Sequence, residues 1–400
     1  MKLLIPKKLR GREKKSQIVA KYDRFFPKFS KKVILVVKKN TEYSGNLRVC
    51  ADLLLKDGDH RLFVYKDDSM PISIENALRE QKISILKPNR WSTFYHILTA
   101  GIFVLSHVPR DAHLLIKNKN RKVLGLWHGV AFKNIESQMI EVSESKMALI
   151  KNNAKLYDLM IASSEADKKY IAKSFLVDES IIDIIGLPRY DLLKSNYLVD
   201  SYLQIQKDKL NDITLNKKFI LYAPTFREKN RSAFDQVSDE EWIRLDQYLE
   251  ETDVILGLRP HSYDNKKPPV ITEKMTNIVW LSQEEFTESN LVLQFVDVLI
   301  VDFSSIWIDF LLLDRPILGF AKDFDHYCDN ERGFAYNFEE TFPDKFAYNF
   351  DEFFTHLVQI IESDEEKKEY RYAKKKFHMH PLDTDFSAAL GSSLKKLKIM

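Results

Sequence analysis

Short, almost wholly apolar runs recur along this chain with amphipathic helical stretches between them, and that alternation constrains the fold more than any other feature. The runs stand at 32–37, 62–65, 83–86, 102–105, 122–126, 159–162 and 181–185, then at 219–222, 254–258, 278–281, 298–301 and 316–320. Consecutive Val, Ile and Leu without polar alternation read as parallel strands covered on both faces. Helical patterns at 45–55, 164–175, 239–251, 305–313 and 351–362 fall between or after them. Strand–helix repetition of this kind predicts an α/β chain with two doubly wound parallel sheets. A mostly polar helical stretch at 192–210 separates the two series and predicts the domain junction. The expected organisation is a basic arm at 1–30, a Rossmann-like domain at 31–200, a second at 201–385 and a basic amphipathic tail at 386–400. Two such domains facing each other would hold a ligand in a central cleft, at the carboxyl ends of the strands.

The length of 400 residues suits two domains, at about 100–200 residues each. Hydrophobic residues at 44% and charged residues at 30% exclude a disordered chain, which could not bury enough apolar surface to offset its ordering entropy. Cys50 and Cys328 are too few for a disulfide framework or a cysteine-rich zinc site, so a reducing compartment is expected. The most apolar stretch, 94–108, is interrupted by Tyr95, His96, Thr99, Ser106 and His107, so it falls short of the roughly 18 apolar residues of a membrane span. It reads as the end of a helix followed by a buried strand. The N-terminus, with an apolar patch of only a few residues and no small-residue cleavage site, is expected to make a poor secretion signal. The expectation is a cytoplasmic protein, either soluble or peripheral on the inner face of the cell membrane.

A net charge of +3 excludes a strongly polycationic protein, but the charge is uneven. Lys2, Lys7, Lys8, Arg10, Arg12, Lys14 and Lys15 crowd the start, and 393–400 is basic and amphipathic. Each Lys or Arg beside an anionic leaflet contributes about 1 kcal/mol, so both termini are candidates for docking on a membrane surface. A solvated basic arm is the plainer alternative. No aromatic residues at stacking spacing accompany the charge, so no nucleic acid is expected as partner.

G-x-G-x-x-G, the P-loop pattern, H-E-x-x-H, G-x-S-x-G and C-x-x-C are all missing, which weighs against common nucleotide, protease, hydrolase and redox classes. Five segments at strand ends remain. In the first, the strand at 122–126 runs into Trp127-His128-Gly129 and then toward a helix, with Lys133 about a turn later. A histidine projecting there suits a general base, and Lys133 suits a phosphate. In the second, Gly186-Leu-Pro-Arg-Tyr-Asp191, Arg189 meets an anion or pairs with Asp191. The third is Tyr222-Ala-Pro-Thr-Phe-Arg227, exposing Thr225 and Arg227. The fourth is Arg259-Pro-His261, a cationic pair able to neutralise a diphosphate. In the fifth, the strand at 298–301 ends at Asp302, and Ser304-Ser305 opens a helix whose free N–H groups suit phosphate. Each has a bland counterpart: a satisfied histidine, a surface ion pair, an ordinary helix cap.

In this order the segments, continuing into Asp314-Arg-Pro316 and Arg332-Gly-Phe334, resemble the CDP-glycerol glycerophosphotransferase family of teichoic-acid primases and polymerases. The resemblance runs roughly from Phe94 to Phe338. It implies a GT-B-like fold of two Rossmann-like domains, the C-terminal one holding CDP-glycerol, and transfer of glycerol phosphate to an acceptor hydroxyl with release of CMP. By the same resemblance His128 is the base, His261 and Arg259 lie near the donor phosphates, and Ser304 and Ser305 mark the phosphate-binding helix start. Asp302 matches, whereas Phe303 stands where the family usually has tyrosine. The residue types agree with the chemistry. Arg227, Arg259, His261 and the Ser304–Ser305 helix start can stabilise charge on the phosphoryl oxygens, with Thr225 and Asp302 beside them. Trp127, Gly129, Lys133 and Arg189 support the site. No carboxylate cluster demands a metal, so no cofactor is required, although Mg²⁺ can assist through the diphosphate. The expected acceptor is a lipid-linked or linker glycan that receives one or a few units. CDP-ribitol, a nucleotide sugar on the same fold, and a non-catalytic nucleotide-binding subunit of a capsule assembly complex are the alternatives.

Overall fold

The computed structural model of the chain describes residues 11–37, 43–66, 70–214, 217–225, 227, 232–261, 268–330, 333–363 and 368–400. The chain forms two compact units: Gly129 and everything before it, Glu136–Asp191 and Asp383–Met400 make the first, and Val130–Ile135 with Leu192–Leu382 make the second.

The first unit runs α1 (Arg12–Tyr22), β1 (Phe29–Val36), α2 (Gly45–Asp57), β2 (Arg61–Tyr65), α3 (Ile72–Glu80), β3 (Ser84–Leu86), α4 (Trp91–Thr99), β4 (Ala100–Leu105), β5 (Lys122–Gly125), α5 (Glu144–Ala154), β6 (Leu159–Ala162), α6 (Glu165–Phe175) and β7 (Ile182–Ile184). Its seven strands are all parallel in the order β3-β2-β1-β4-β5-β6-β7. The continuous apolar runs have the predicted cause: Val33–Val36, Ile102–Leu105 and Leu159–Ala162 are buried without alternation, because both faces of the sheet are covered.

The second unit runs α7 (Ser201–Thr214), β8 (Lys218–Tyr222), α8 (Asp239–Glu251), β9 (Val254–Leu258), β10 (Ile278–Trp280), α9 (Ser289–Leu293), β11 (Val298–Val301), α10 (Ile306–Phe310), β12 (Ile317–Phe320), α11 (Phe324–Asn330), α12 (Phe338–Thr341), β13 (Phe346–Ala347), α13 (Phe350–Glu362) and α14 (Arg371–Phe377). Its sheet is parallel in the order β10-β9-β8-β11-β12-β13. Ser238 caps α8 in a reciprocal box with Glu241, which satisfies two otherwise orphaned N–H groups. Trp242, Leu245 and Leu249 then recur at helical spacing and pack with Phe350, Phe353 and Leu357 of α13 against the strands. Each such fully buried side chain contributes roughly 1.5–3 kcal/mol. The architecture is the expected two-domain, Rossmann-like, GT-B-like α/β fold.

The chain's ends depart from the predicted boundaries. Within the expected arm, α1 is part of the first unit: Val19 is buried, Ser16 Oγ lies 3.4 Å from His113 Nδ1, and Arg12 pairs with Asp111 at 3.3 Å. Residues 1–10 lie outside the described residues. The expected tail forms α15 (Phe386–Lys396), which returns to the first unit and packs on α2. Phe386, Leu390 and Leu394 point inward, so the amphipathic pattern serves the fold, and the lysines stay exposed. The helix expected from 192 begins at Ser201, after a 3₁₀ segment over Pro188–Leu193. The one expected over 305–313 is α-helical only through Phe310.

Candidate active site

In the first sheet the strand order reverses between β1 and β4, the position where open α/β sheets bind ligands beyond their carboxyl ends. There β4 delivers Ser106 and His107, and its neighbour β5 delivers Trp127, His128 and Gly129. Ser106 fixes the end of β4 by donating its hydroxyl to the Val36 carbonyl at 3.1 Å. The His107 ring stacks on His128 at 4.5 Å, and the buried Trp127 ring lies 4.2 Å from His128 on another side. His128 itself is exposed, with Nδ1 3.4 Å from the Ser106 carbonyl oxygen. A proton on Nδ1 shared with that carbonyl leaves the lone pair on Nε2, the tautomer a general base needs.

The backbone of this turn is braced from two sides. Arg189 donates to the His128 carbonyl, and its guanidinium closes over Gly129 so tightly that a Cβ there would stand 2.6 Å from a terminal nitrogen. With φ at +150°, Gly129 cannot become a larger residue without strain. Asn46, the second residue of α2, donates from one amide nitrogen to the carbonyls of Leu126 and Trp127 at 3.0 and 3.2 Å. Its oxygen accepts the Arg189 backbone N–H at 3.1 Å. One buried amide therefore ties the Trp-His-Gly turn to the Gly-Leu-Pro-Arg turn. Asp191 caps α15 by accepting from the Ser387 backbone N–H at 2.7 Å.

Asp167, within the electrostatic reach of Arg189, accepts the Ser163 N–H at 2.9 Å while its other oxygen is buried without a partner. Burial pushes this carboxyl up to about 7, against the opposing pull of the Ser163 N–H and Arg189. A raised carboxyl keeps its proton longer in the folded state, so the stability this group contributes is fully present below about pH 4 and is lost as pH rises toward 7. At about 1.4 kcal/mol per pH unit the loss is of order a few kcal/mol. Asp167→Asn is expected to flatten the decline in Tm between pH 4.5 and 7.5 measured by thermal denaturation. An unchanged slope counts against the assignment.

In the second sheet the order reverses between β8 and β11, and the predicted residues converge there. Asp302, fully buried after β11, accepts the Thr225 N–H through both oxygens at 2.8 and 2.9 Å and the Ser304 N–H at 3.0 Å. It also accepts Arg227 at 2.7 Å. Burial alone would raise the Asp302 carboxyl, but Arg227, Lys133 and these donors outweigh it and hold it below its ordinary range. Arg227 gives its remaining N–H groups to Asp323, at 2.7 and 2.9 Å, and to the Thr225 carbonyl. Arg227 and Asp302 are thus interior struts that shape the turn. Sequence reasoning missed Asp323. The segment after Gly129 does not enter a helix; Lys133 forms an isolated bridge to Phe334 and donates to Thr225 Oγ1 at 3.2 Å.

Ser304 and Ser305 are half-buried; Ser305 precedes α10 without capping it, and neither hydroxyl has a protein partner among the described residues. Arg259 ends β9, beside β8, and is only 2% exposed. One terminal nitrogen donates to Gln283 Oε1, the Phe286 carbonyl and Ser289 Oγ, while Nε and the other terminal nitrogen have no partner. Burial lowers its pKa to about 10, with Glu288 opposing. His261, two residues on, is half-buried. Phe303 has a packing reason to lack a hydroxyl: it is fully buried and stacks on Tyr327 at 3.9 Å. Arg332 lies outside the described residues. No group of three or more His, Cys, Asp or Glu side chains gathers as a metal site among the described residues.

The chain is similar to several teichoic acid enzymes. The teichoic acid poly(glycerol phosphate) polymerase of Bacillus spizizenii is 31% identical over 57% of this chain and 58% of its own length. The teichoic acid glycerol-phosphate transferase of Staphylococcus aureus is 28% identical over 84% and 85%, and the B. spizizenii ribitol-phosphate primase 26% over 84% and 83%. The chain thus spans under two thirds of the first relative's length. Among solved structures, the wall teichoic acid polymerase TagF matches the fold with a TM-score of 0.76 at 19% identity, over 98% of this chain and 94% of that one. A family model matches residues 18–384. The chain belongs to the CDP-glycerol:poly(glycerophosphate) glycerophosphotransferase family.

Proposed function

We propose that this chain transfers glycerol phosphate from CDP-glycerol to a hydroxyl of a lipid-linked acceptor glycan, releasing CMP, as a primer- or linker-type enzyme. The observation that carries the reading is the exposed His128, with Nδ1 at the Ser106 carbonyl and its backbone braced by Asn46 and Arg189. His128 Nε2 takes the proton of the acceptor hydroxyl as that oxygen bonds to the donor's β-phosphorus. The bond from that phosphorus to the bridging oxygen breaks, and CMP leaves with the electron pair. Such transfer rests on positioning and electrostatics. The second unit contributes the partner-free hydroxyls of Ser304 and Ser305, the unpaired nitrogens of Arg259, and His261 for the donor phosphates. A buried donor without an acceptor costs about 1–3 kcal/mol, a cost that a bound diphosphate would remove. Mg²⁺, in this reading, enters only with the donor, since Asp302 and Asp323 are already paired with Arg227.

The test is CMP release from CDP-glycerol, with CDP-ribitol and nucleotide sugars in parallel, with and without acceptor and with EDTA. Acceptor-dependent release from CDP-glycerol supports the reading. Release from CDP-ribitol instead would move the donor, a choice left open because relatives carry both glycerol- and ribitol-phosphate names. CMP binding without turnover of any donor would favour a non-catalytic subunit.

Asn46→Ala removes three hydrogen bonds of about 1 kcal/mol each, and part of that loss reaches the transition state through His128. The expected result is a roughly 10- to 100-fold fall in kcat, with little change in KM for the donor. Asn46→Asp fails similarly, since it cannot donate to the two carbonyls. An unchanged kcat in both variants rules out the bracing role.

We also infer that the first unit meets an anionic membrane surface. Tyr22, Phe25 and Phe29 are 43%, 65% and 46% exposed, with Lys21 over the Tyr22 ring and Arg24 over Phe25. Aromatic and basic residues together suit an interfacial contact. Phe25→Ser with Phe29→Ser is expected to cut sedimentation with anionic vesicles several-fold; equal sedimentation contradicts the contact. No helix of the described residues is long and apolar enough to cross a membrane.

A further inference from the structure

A cavity of about 690 Å³ opens in the first unit between the edge strand β3, its neighbour β2 and helix α4. It is remote from the Trp-His-Gly turn: β3 and β5 are four strand positions apart in the sheet, or about 19 Å at 4.8 Å per strand. Phe63 forms one wall, and cationic groups gather on it. The Arg61 guanidinium stands 5.9 Å from its ring centre and Lys32 Nζ 5.7 Å, while the His96 ring lies 4.4 Å away. Lys87 and Arg90 line the same cavity with the hydroxyl-bearing Ser84 and Ser92.

No carboxylate among the described residues pairs with Arg61, Lys87, Arg90 or Lys32; the buried Lys32 ammonium donates only to Thr99 Oγ1, at 2.7 Å. Three cations line the cavity and repel one another, with Lys32 a fourth beside its Phe63 wall, and an apolar wall strengthens that field because it screens less than water. His96 reports the field. Burial, then Lys32, then Arg61 push its pKa down to about 4, and its Nδ1 is buried without a partner. Burial and Arg61 likewise lower the Lys32 pKa. Surplus positive charge, a neutral imidazole, and serine hydroxyls are the groups that receive a phosphoryl oxyanion.

We propose that this cavity is a second anion site, which binds the phosphoryl group of a phosphate ester through Arg61, Lys87 and Arg90. The ester can come from a free polyol phosphate or from a lipid headgroup, since both present the same oxyanion. The site does not depend on the transferase reading, because none of its residues belongs to the Trp-His-Gly turn or to the β8–β11 ends.

The test follows the His96 ring signal by NMR in full-length protein labelled at histidine, assigned with His96→Asn. The probes are inorganic phosphate, sn-glycerol 3-phosphate, and vesicles of phosphatidylglycerol or phosphatidylcholine. An anion in the cavity offsets Lys32 and Arg61, so the His96 titration midpoint is expected to rise by about one unit or more on saturation. Arg61→Gln with Arg90→Gln is expected to weaken binding at least tenfold, while acceptor-dependent CMP release is unchanged. Response to the soluble esters identifies a free ligand, and response to phosphatidylglycerol vesicles alone identifies a lipid. A His96 signal indifferent to every probe, or binding that survives the double substitution in a folded variant, overturns the proposal. Should the double variant fail to fold, Lys87→Gln, at an exposed position, serves the same comparison.

Discussion

His128→Ala is expected to lower acceptor-dependent CMP release by about 10²–10⁴-fold, the range contributed by a positioned general base. CMP binding should survive, because the groups assigned to the donor, Ser304, Ser305, Arg259 and His261, all belong to the second unit. The turn also should keep its shape: its braces reach the backbone of residues 126–128 and not the imidazole. The effect should therefore fall on kcat, with KM for CDP-glycerol little altered, as for a group that acts only in the transition state. His128→Gln is the informative companion, since its amide can hydrogen-bond but cannot take a proton. A variant retaining more than about a tenth of wild-type kcat would remove His128 from the chemistry, and the neighbouring His107, stacked on it at 4.5 Å, would be the next candidate.

The second large effect concerns stability. Asp302→Ala is expected to cost about 3–5 kcal/mol, the usual cost of breaking a buried ion pair from one side. Asp302 is fully buried, and its loss strands three donors at once: the Thr225 N–H, the Ser304 N–H and one arm of Arg227. Asp323 still holds the guanidinium from its other edge, so the second unit should remain folded but unfold at lower denaturant. Trp242, Trp280 and Trp307 all lie in that unit, which makes tryptophan fluorescence a suitable readout. Because the Asp302 carboxyl is held below its ordinary range, its contribution is complete above about pH 4 and is lost as pH falls through its folded pKa. The gap between wild type and variant should thus close in acid. An equal unfolding midpoint at pH 7 would show that the pair is not a strut.

Much of this fold is legible in the sequence because parallel strands buried on both faces leave continuous apolar runs, and every run in the two series became a strand. β13 escaped because two residues carry no period. The helical parts of the first thirty residues and of the last fifteen were read as basic extensions, since their lysines dominate the composition while the few inward residues, such as Val19, Phe386, Leu390 and Leu394, do not. At the site, the residue types at strand ends singled out His128, Arg259 and the Ser304–Ser305 pair, which lie after β5, β9 and β11. Their roles in the interior were not legible, because pairing is a property of three dimensions. Arg227 looks like a phosphate ligand until Asp323, 96 residues away in sequence, is seen beside it. Asn46 lies 80 residues before the carbonyl it holds. Its only sequence signal was a polar residue at the buried start of α2. Lys133 was grouped with His128 by proximity in sequence, whereas it packs against Thr225 in the other unit.

In the proposed reaction glycerol phosphate moves from nucleotide to acceptor. The mass of the acceptor after incubation with CDP-glycerol and enzyme tests this most directly, because CMP release alone also reports hydrolysis. The expected product is an acceptor heavier by one or a few glycerol phosphate units, formed by wild type and not by His128→Ala. An acceptor of unchanged mass despite CMP release, or one gaining a sugar from a nucleotide sugar instead, would contradict it.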